Sequence, residues 1–170
     1  MIREYEGITP KMDESVFIAE SADIIGDVVL GKNTNIWYKA VLRGDAKPII
    51  VGENTNIQDG TIVHSGYDTT TTIGNNVTIG HAAIIHGCTI KDYSLIGMGA
   101  IVLDGAEIGE FSMVGAGSLV TGKKFPSGVL ILGSPAKVIR ELTDEEKESL
   151  VSSAKHYVET SKKYMKSIIK

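Results

Sequence analysis

An aliphatic residue recurs every six positions along most of this chain. The series opens with Ile18, Ile24, Leu30, Ile36 and Leu42 and resumes after a jog as Val51, Ile57 and Val63. It continues as Ile73, Ile79 and Ile85, slips by one residue to Ile90, and then runs Ile96, Val102, Ile108, Val114 and Val120. A period of six fits neither the helical stripe, which repeats near 3.6 residues, nor the two-residue alternation of an ordinary strand. It fits a parallel β-helix in which each hexad supplies one short strand and a corner. Three hexads close a triangular coil, and coils stack at the interstrand spacing of about 4.8 Å. The anchors then fill the prism as aliphatic ladders, and no hexad is stable alone, because only its neighbours cover its inner face. Scattered strands of a sandwich would not keep so strict a period.

A second inward column follows the anchors by four positions: Ala22, Val28, Thr34, Ala40, Thr55, Thr61, Val77, Ala83, Thr89, Ser94, Ala100, Ala106, Ser112 and Ser118. Such a core explains a chain with only 6% aromatic residues but 19 glycines. Glycine often comes directly after the anchor, as in "VGENT" and "IGHAA", where a corner needs torsions that a side chain opposes.

The hexads end after Val120. Thr143 and Glu146 form a capping-box pattern, with Asp144 and Glu145 suited to the positive end of a helix dipole. Leu150, Ala154, Tyr157, Val158, Ser161, Met165 and Ile168 then fall at three- and four-residue steps, a single apolar stripe for docking on a prism face. The expected division is a β-helix domain over residues 1–142, with a short lead-in and a connector, and a packed C-terminal helix over 143–170.

With 170 residues, a formal net charge of -4 and lysines that form no block, the chain has the size of one domain and no electrostatic footprint for nucleic acid. The charged start "MIREYEG" is no secretory signal, and no apolar run reaches the roughly 18 residues of a membrane span. The lone cysteine, Cys88, closes no internal disulfide and reads as a small buried apolar residue. These features point to a cytoplasmic protein that spans no membrane.

Three of the four histidines fall in "IVHSGYDTTTTIGNNVTIGHAAIIHGC". The anchors Val63, Ile73, Ile79 and Ile85 close one coil, with the residues around "YDTT" bulging as a loop. His64 and His86 each follow an anchor, so they stack one coil apart on one face. Two nitrogens about 2.0 Å from a tetrahedral zinc lie roughly 3.3 Å apart, within reach of imidazoles rooted on adjacent coils. His81 sits two residues after Ile79, one face earlier, and diverges around a corner. One chain does not assemble all three; three prisms about a threefold axis would. By the same count Arg43 lies beneath His64, Asp59 beneath His81 and Gln58 beneath Gly80, so Arg43 with Asp59, and Asp45 beside them, are candidates for an interface ion-pair network.

The segments "RGD" (43–45), "NIQDGTIVH" (56–64), "IGHAAIIHGC" (79–88) and "GSPAKVIREL" (133–142) together resemble the γ-class carbonic anhydrase-like hexapeptide proteins, whose members are often labelled ferripyochelin-binding protein. The resemblance spans nearly the whole chain. It implies a left-handed β-helix, an all-β repeat prism with a C-terminal α-helix, that assembles as a homotrimer with metal at each subunit boundary. His64 and His86 of one subunit and His81 of the next would be the ligands. Arg43 and Asp59 match the family's interface ion pair, Asp45 a companion carboxylate, and Gln58 a residue that hydrogen-bonds near metal-bound solvent. Tyr157 or Tyr164 of the helix would reach the same pocket.

Such a centre implies reversible hydration of CO2 to bicarbonate by metal-bound hydroxide, since zinc brings the pKa of bound water to about 7. Imidazole serves Zn2+, Fe2+ and Co2+ alike. The sequence departs from the active members' pattern where they carry proton-shuttling glutamates: Ala46 follows Asp45, and Asp68 is the single carboxylate of the loop "SGYDTTTT". Turnover is then expected to be weak or buffer-dependent. Two alternatives stand beside this reading: a coenzyme A-ester acyltransferase or thioesterase on the same scaffold, or a non-catalytic, metal-stabilised trimeric binding protein.

Overall fold

The computed structural model describes residues 1–167, which wind into a parallel β-solenoid of about 7 turns closed by one C-terminal helix. Three internal columns of side chains run its length, each fixed by strand register. The first is Ile24, Leu42, Val63, Ile85, Val102 and Val120. The second is Leu30, Val51, Ile73, Ile90, Ile108 and Phe125. The third is Ile36, Ile57, Ile79, Ile96, Val114 and Ile131. All are buried, and at about 1.5–3 kcal/mol per aliphatic side chain taken from water they supply the main driving force for stacking.

The second inward column is buried from Ala22 to Ser118 with one exception. Thr89 is half-buried, and Cys88, 2% exposed, takes its place. The inward residue stands two positions before each anchor, so the short step from Ile85 to Ile90 carries it back to Cys88. Where this column is polar, its hydroxyls cross to the neighbouring coil: Thr34 donates to the Gly52 carbonyl at 2.7 Å and Thr55 to that of Gly74 at 2.7 Å. Among the described residues no buried side-chain nitrogen or oxygen lacks a partner, as a dry core requires.

Corners are made by left-handed residues. Asn33, Asn54 and Asn76 all have φ of 55°, a conformation asparagine tolerates better than most residues, and their amides join successive coils at 3.0 and 3.3 Å. One wall turns without a break: Val41–Val51 is a continuous strand of 11 residues.

The helix, Asp144–Lys166, starts at the capping box formed by Thr143 and Glu146. Arg140 donates to both carboxylate oxygens of Glu146, at 2.7 and 2.8 Å, tying the last strand to the first helical turn. Leu150, Ala154, Val158 and Ser161 are buried against the prism and Tyr157 is half-buried. The stripe ends sooner than its spacing predicts: Met165 is 41% exposed, while the ring of Tyr164 beside it packs on Trp37. Ile168 lies outside the described residues. Among those described, no helix is long and apolar enough to cross a membrane.

Candidate metal centre

His64 and His86 are register partners on adjacent strands, Ile62–His64 and Ile84–His86. Each follows an inward anchor, so alternation turns both rings outward on one face. His64 Nδ1 lies 3.1 Å from His86 Nε2. The opposite nitrogens are also engaged: His64 Nε2 is 2.8 Å from Asp45 Oδ1, and His86 Nδ1 is 2.7 Å from Asp104 Oδ1.

A carboxylate only accepts hydrogen bonds, so in each neutral ring the nitrogen facing it carries the proton. The inner nitrogens, His64 Nδ1 and His86 Nε2, then present lone pairs to one another at 3.1 Å. With both rings neutral that arrangement is repulsive, and a cation held between them relieves it. The spacing is close to the roughly 3.3 Å separating two nitrogens on a tetrahedral zinc ion. Carboxylates behind ligating imidazoles are the usual support of such sites, fixing tautomer and ring orientation. The donor set therefore fits a divalent ion that prefers imidazole.

Arg43 is the register partner of His64 in the coil below, and its guanidinium donates to Asp45 Oδ2. Burial opposes ionisation of Asp45, but the hydrogen bonds from His64 and Arg43 outweigh it and hold the carboxyl below its ordinary pKa. These residues line a cleft of about 540 Å³ flanked by Tyr5 and Tyr67. Ala46 lies in the same cleft, and Asp68 is exposed on the loop above it.

His81 stands elsewhere, next to a left-handed corner at Ala82, φ 56°, with its Nδ1 2.8 Å from Asp59 Oδ2. It borders a second groove of about 360 Å³ with Gln58 and Tyr157. No residue lines both cavities. Among the described residues, no group of three or more His, Cys, Asp or Glu side chains of one chain is arranged to hold a metal. Within the chain, the partner of Arg43 is thus Asp45 and that of Asp59 is His81.

Gln58 is 5% exposed, and its Nε2 donates to Asn56 Oδ1 at 3.1 Å. Asn56 Nδ2 donates to Thr78 Oγ1 at 2.9 Å, and Thr78 Oγ1 lies 3.1 Å from Ser153 Oγ on the helix. Tyr157 lies beside this group; burial pushes its hydroxyl above the ordinary pKa, and Asp59 adds to the shift. The rings of Tyr157 and Tyr164 both pack on Trp37, at 5.7 and 5.1 Å, and that of Tyr164 also lies 6.0 Å from Phe17. Asp104 escaped the sequence reading: it follows the anchor Val102 by two positions, a corner site where aspartate carries no signal of its own.

Comparison with known proteins adds a family context. Residues 87–122 match the model of the bacterial transferase hexapeptide (six repeats) family. The chain is 46% identical over 165 residues to a carbonic anhydrase of Geobacillus kaustophilus, covering 96% of this chain and 91% of that protein. It is 50% identical over 157 residues to the mitochondrial gamma carbonic anhydrase 2 of Arabidopsis thaliana, covering 88% of this chain but 56% of the relative. The chain thus spans little more than half of that plant protein's length. A crystal structure of a hexapeptide transferase family protein from Anaplasma phagocytophilum superposes with a TM-score of 0.92 at 50% identity, covering 96% of this chain and 97% of that one.

Proposed function

The chain belongs to the γ-class carbonic anhydrase-like family of hexapeptide-repeat proteins, and from that premise we propose that it is a homotrimer that catalyses reversible hydration of CO2 to bicarbonate at metal centres on its subunit boundaries. The observation that carries this reading is the pair of inner nitrogens on His64 and His86, 3.1 Å apart and each backed by a carboxylate. His81 of the neighbouring subunit completes the ligand set, since its own chain offers it no second imidazole. An outward aliphatic column supports association: Val41, Ile62, Ile84, Ile101 and Leu119 are successive register partners beside the histidines, with Ile62 41% and Ile84 39% exposed.

When bound, a zinc-like ion supplies the acidification of water that makes a nucleophile available near neutral pH. The chain's own residues do the rest. Asp45 and Asp104 hold the imidazoles in their ligating tautomers, and Arg43 holds Asp45. Asn56 commits the Gln58 amide nitrogen, leaving the amide oxygen to orient water or the incoming CO2. Tyr157, neutral at physiological pH, borders the same groove, whereas Tyr164 anchors the helix. With Ala46 beside Asp45 and Asp68 the one loop carboxylate, proton export falls to the buffer, and turnover is slow in its absence. A reducing, cytoplasmic setting belongs to the same proposal and rests on the single buried Cys88.

Metal analysis and a CO2-hydration assay on protein purified with and without air, beside His81→Ala, test the reading. About one zinc, iron or cobalt ion per subunit is expected, lost in the variant. Full occupancy after His81→Ala would overturn the shared centre. Acyl transfer from coenzyme A esters with no CO2 hydration would replace the activity.

A further inference from the structure

We infer that Asp104 is a positioning residue for His86, and that the loop carrying Thr69 and the bare backbone of Gly87 exist to seat it. The inference rests on the metal reading of His86. Asp104 Oδ1 lies 2.7 Å from His86 Nδ1 and 3.3 Å from Thr69 Oγ1. Thr69 belongs to the bulge between the strands Ile62–His64 and Thr71–Ile73, so an insertion that interrupts the hexads returns one hydroxyl to this carboxylate across 35 residues of sequence.

Two glycines keep the space open. A Cβ on Gly87 would stand 1.8 Å from Asp104 Oδ1, and one on Gly66 would stand 2.3 Å from Thr69 Oγ1 and 3.1 Å from Asp104 Oδ1. Gly87 also has a φ of 54°, which a side chain would strain. Both positions are thus closed to side chains by the same carboxylate and its clamp.

The consequence is an asymmetric pair. His64 turns Nε2 to its carboxylate and Nδ1 inward, while His86 turns Nδ1 to its carboxylate and Nε2 inward. Without Asp104 the His86 ring has no acceptor at its outer nitrogen, so it loses both its tautomer and its rotamer lock. Outer carboxylates of this kind are typically worth about 10- to 100-fold in metal affinity.

The test is competition titration of the metal-free trimer with Zn2+ against a chromophoric chelator, for the wild type, Asp104→Ala, Asp104→Glu and His86→Ala. Asp104→Ala is expected to bind zinc about 10- to 100-fold more weakly. Asp104→Glu keeps the charge but moves the carboxylate by one methylene, and is expected to lose much of the same affinity. Wild-type affinity in either variant overturns the inference, the glutamate result by assigning the effect to charge alone. Loss of affinity through dissociation of the trimer, read by size in the same samples, overturns it too. Zinc retained by His86→Ala sinks the metal reading itself; zinc lost there but unchanged in the Asp104 variants sinks only the positioning role.

Discussion

Gln58 and Asn56 project outward from neighbouring positions of one coil, and the Gln58 amide donates to Asn56 Oδ1 at 3.1 Å. Asn56 is fully buried and joins Thr78, which in turn meets Ser153 on the helix. The helix therefore reaches the groove through a chain of four polar side chains. Replacing Asn56 with alanine leaves Gln58 unanchored and buried partners unpaired. We expect a loss of about 1–3 kcal/mol in stability and a fall of up to about 10²-fold in kcat/KM for CO2 hydration, as befits a misplaced orienting group. Chemical denaturation and stopped-flow assay check the two parts separately.

Ile84 and Ile85 are adjacent in sequence but face opposite ways, the first outward in the aliphatic column and the second inward in the core. Ile84→Lys is expected to give folded monomers with little metal, the monomer's own stability changing by no more than about 0.5 kcal/mol, as for surface sites. Ile85→Ala should cost about 2–5 kcal/mol of folding stability through the cavity it opens. Sedimentation and thermal melts of the two variants decide the matter; an Ile84→Lys trimer with full metal would exclude this face from the interface.

The Glu146 carboxyl is pulled down to about 2 by the side-chain bonds from Arg140 and then by the Thr143 backbone N–H. A carboxyl depressed in the folded state stabilises it fully above the unfolded value near 4.5 and loses that contribution as pH falls toward 2. Glu146→Gln should therefore lower the melting temperature at pH 7, by at most a few degrees given the exposure of the pair. The gap between variant and wild type should close progressively between pH 4.5 and 2. A gap that stays constant across that range would mean the ion pair is not its source.

Ala46 sits beside Asp45 in the cleft that holds His64 and His86. If proton export limits turnover, Ala46→Glu should raise the rate at low buffer concentration by about 10²-fold, the lower end of what a positioned proton carrier contributes. Its dependence on added buffer should flatten. An unchanged rate and an unchanged buffer slope would locate the slow step elsewhere.

The prism was legible because its period is enforced by burial: each anchor from Ile24 to Val120 is inside, and a shift of one residue would expose a whole ladder. The stacking of His64 on His86 follows from the same count, since their separation of 22 residues is three hexads and a four-residue bulge. Local slips were harder. Cys88 displaces Thr89 because the inward position is set by the anchor ahead of it and not by the one behind. Asp104 was invisible because its importance depends on which side chain lies opposite after folding, and its own spacing is that of any corner. Helical periodicity put Tyr157 on the apolar stripe and the family resemblance added Tyr164; both rings pack on Trp37, and the further ring contacts of Tyr164 with Phe17 and Tyr38, which no spacing announces, separate their surroundings.

Asn33, Asn54 and Asn76 join three successive coils through their side-chain amides, and in the ladders beside them parallel strands meet through peptide hydrogen bonds at one repeated spacing. The pitch of the prism is thus a fixed gauge, and it is this gauge, not a tailored pocket, that sets the gap between His64 and His86. A complete coil inserted beyond Val120, past Asp104, would lengthen the molecule and leave that gap untouched. A single residue inserted between Ile85 and His86, within the strand, would turn His86 off the face of His64 and abolish it.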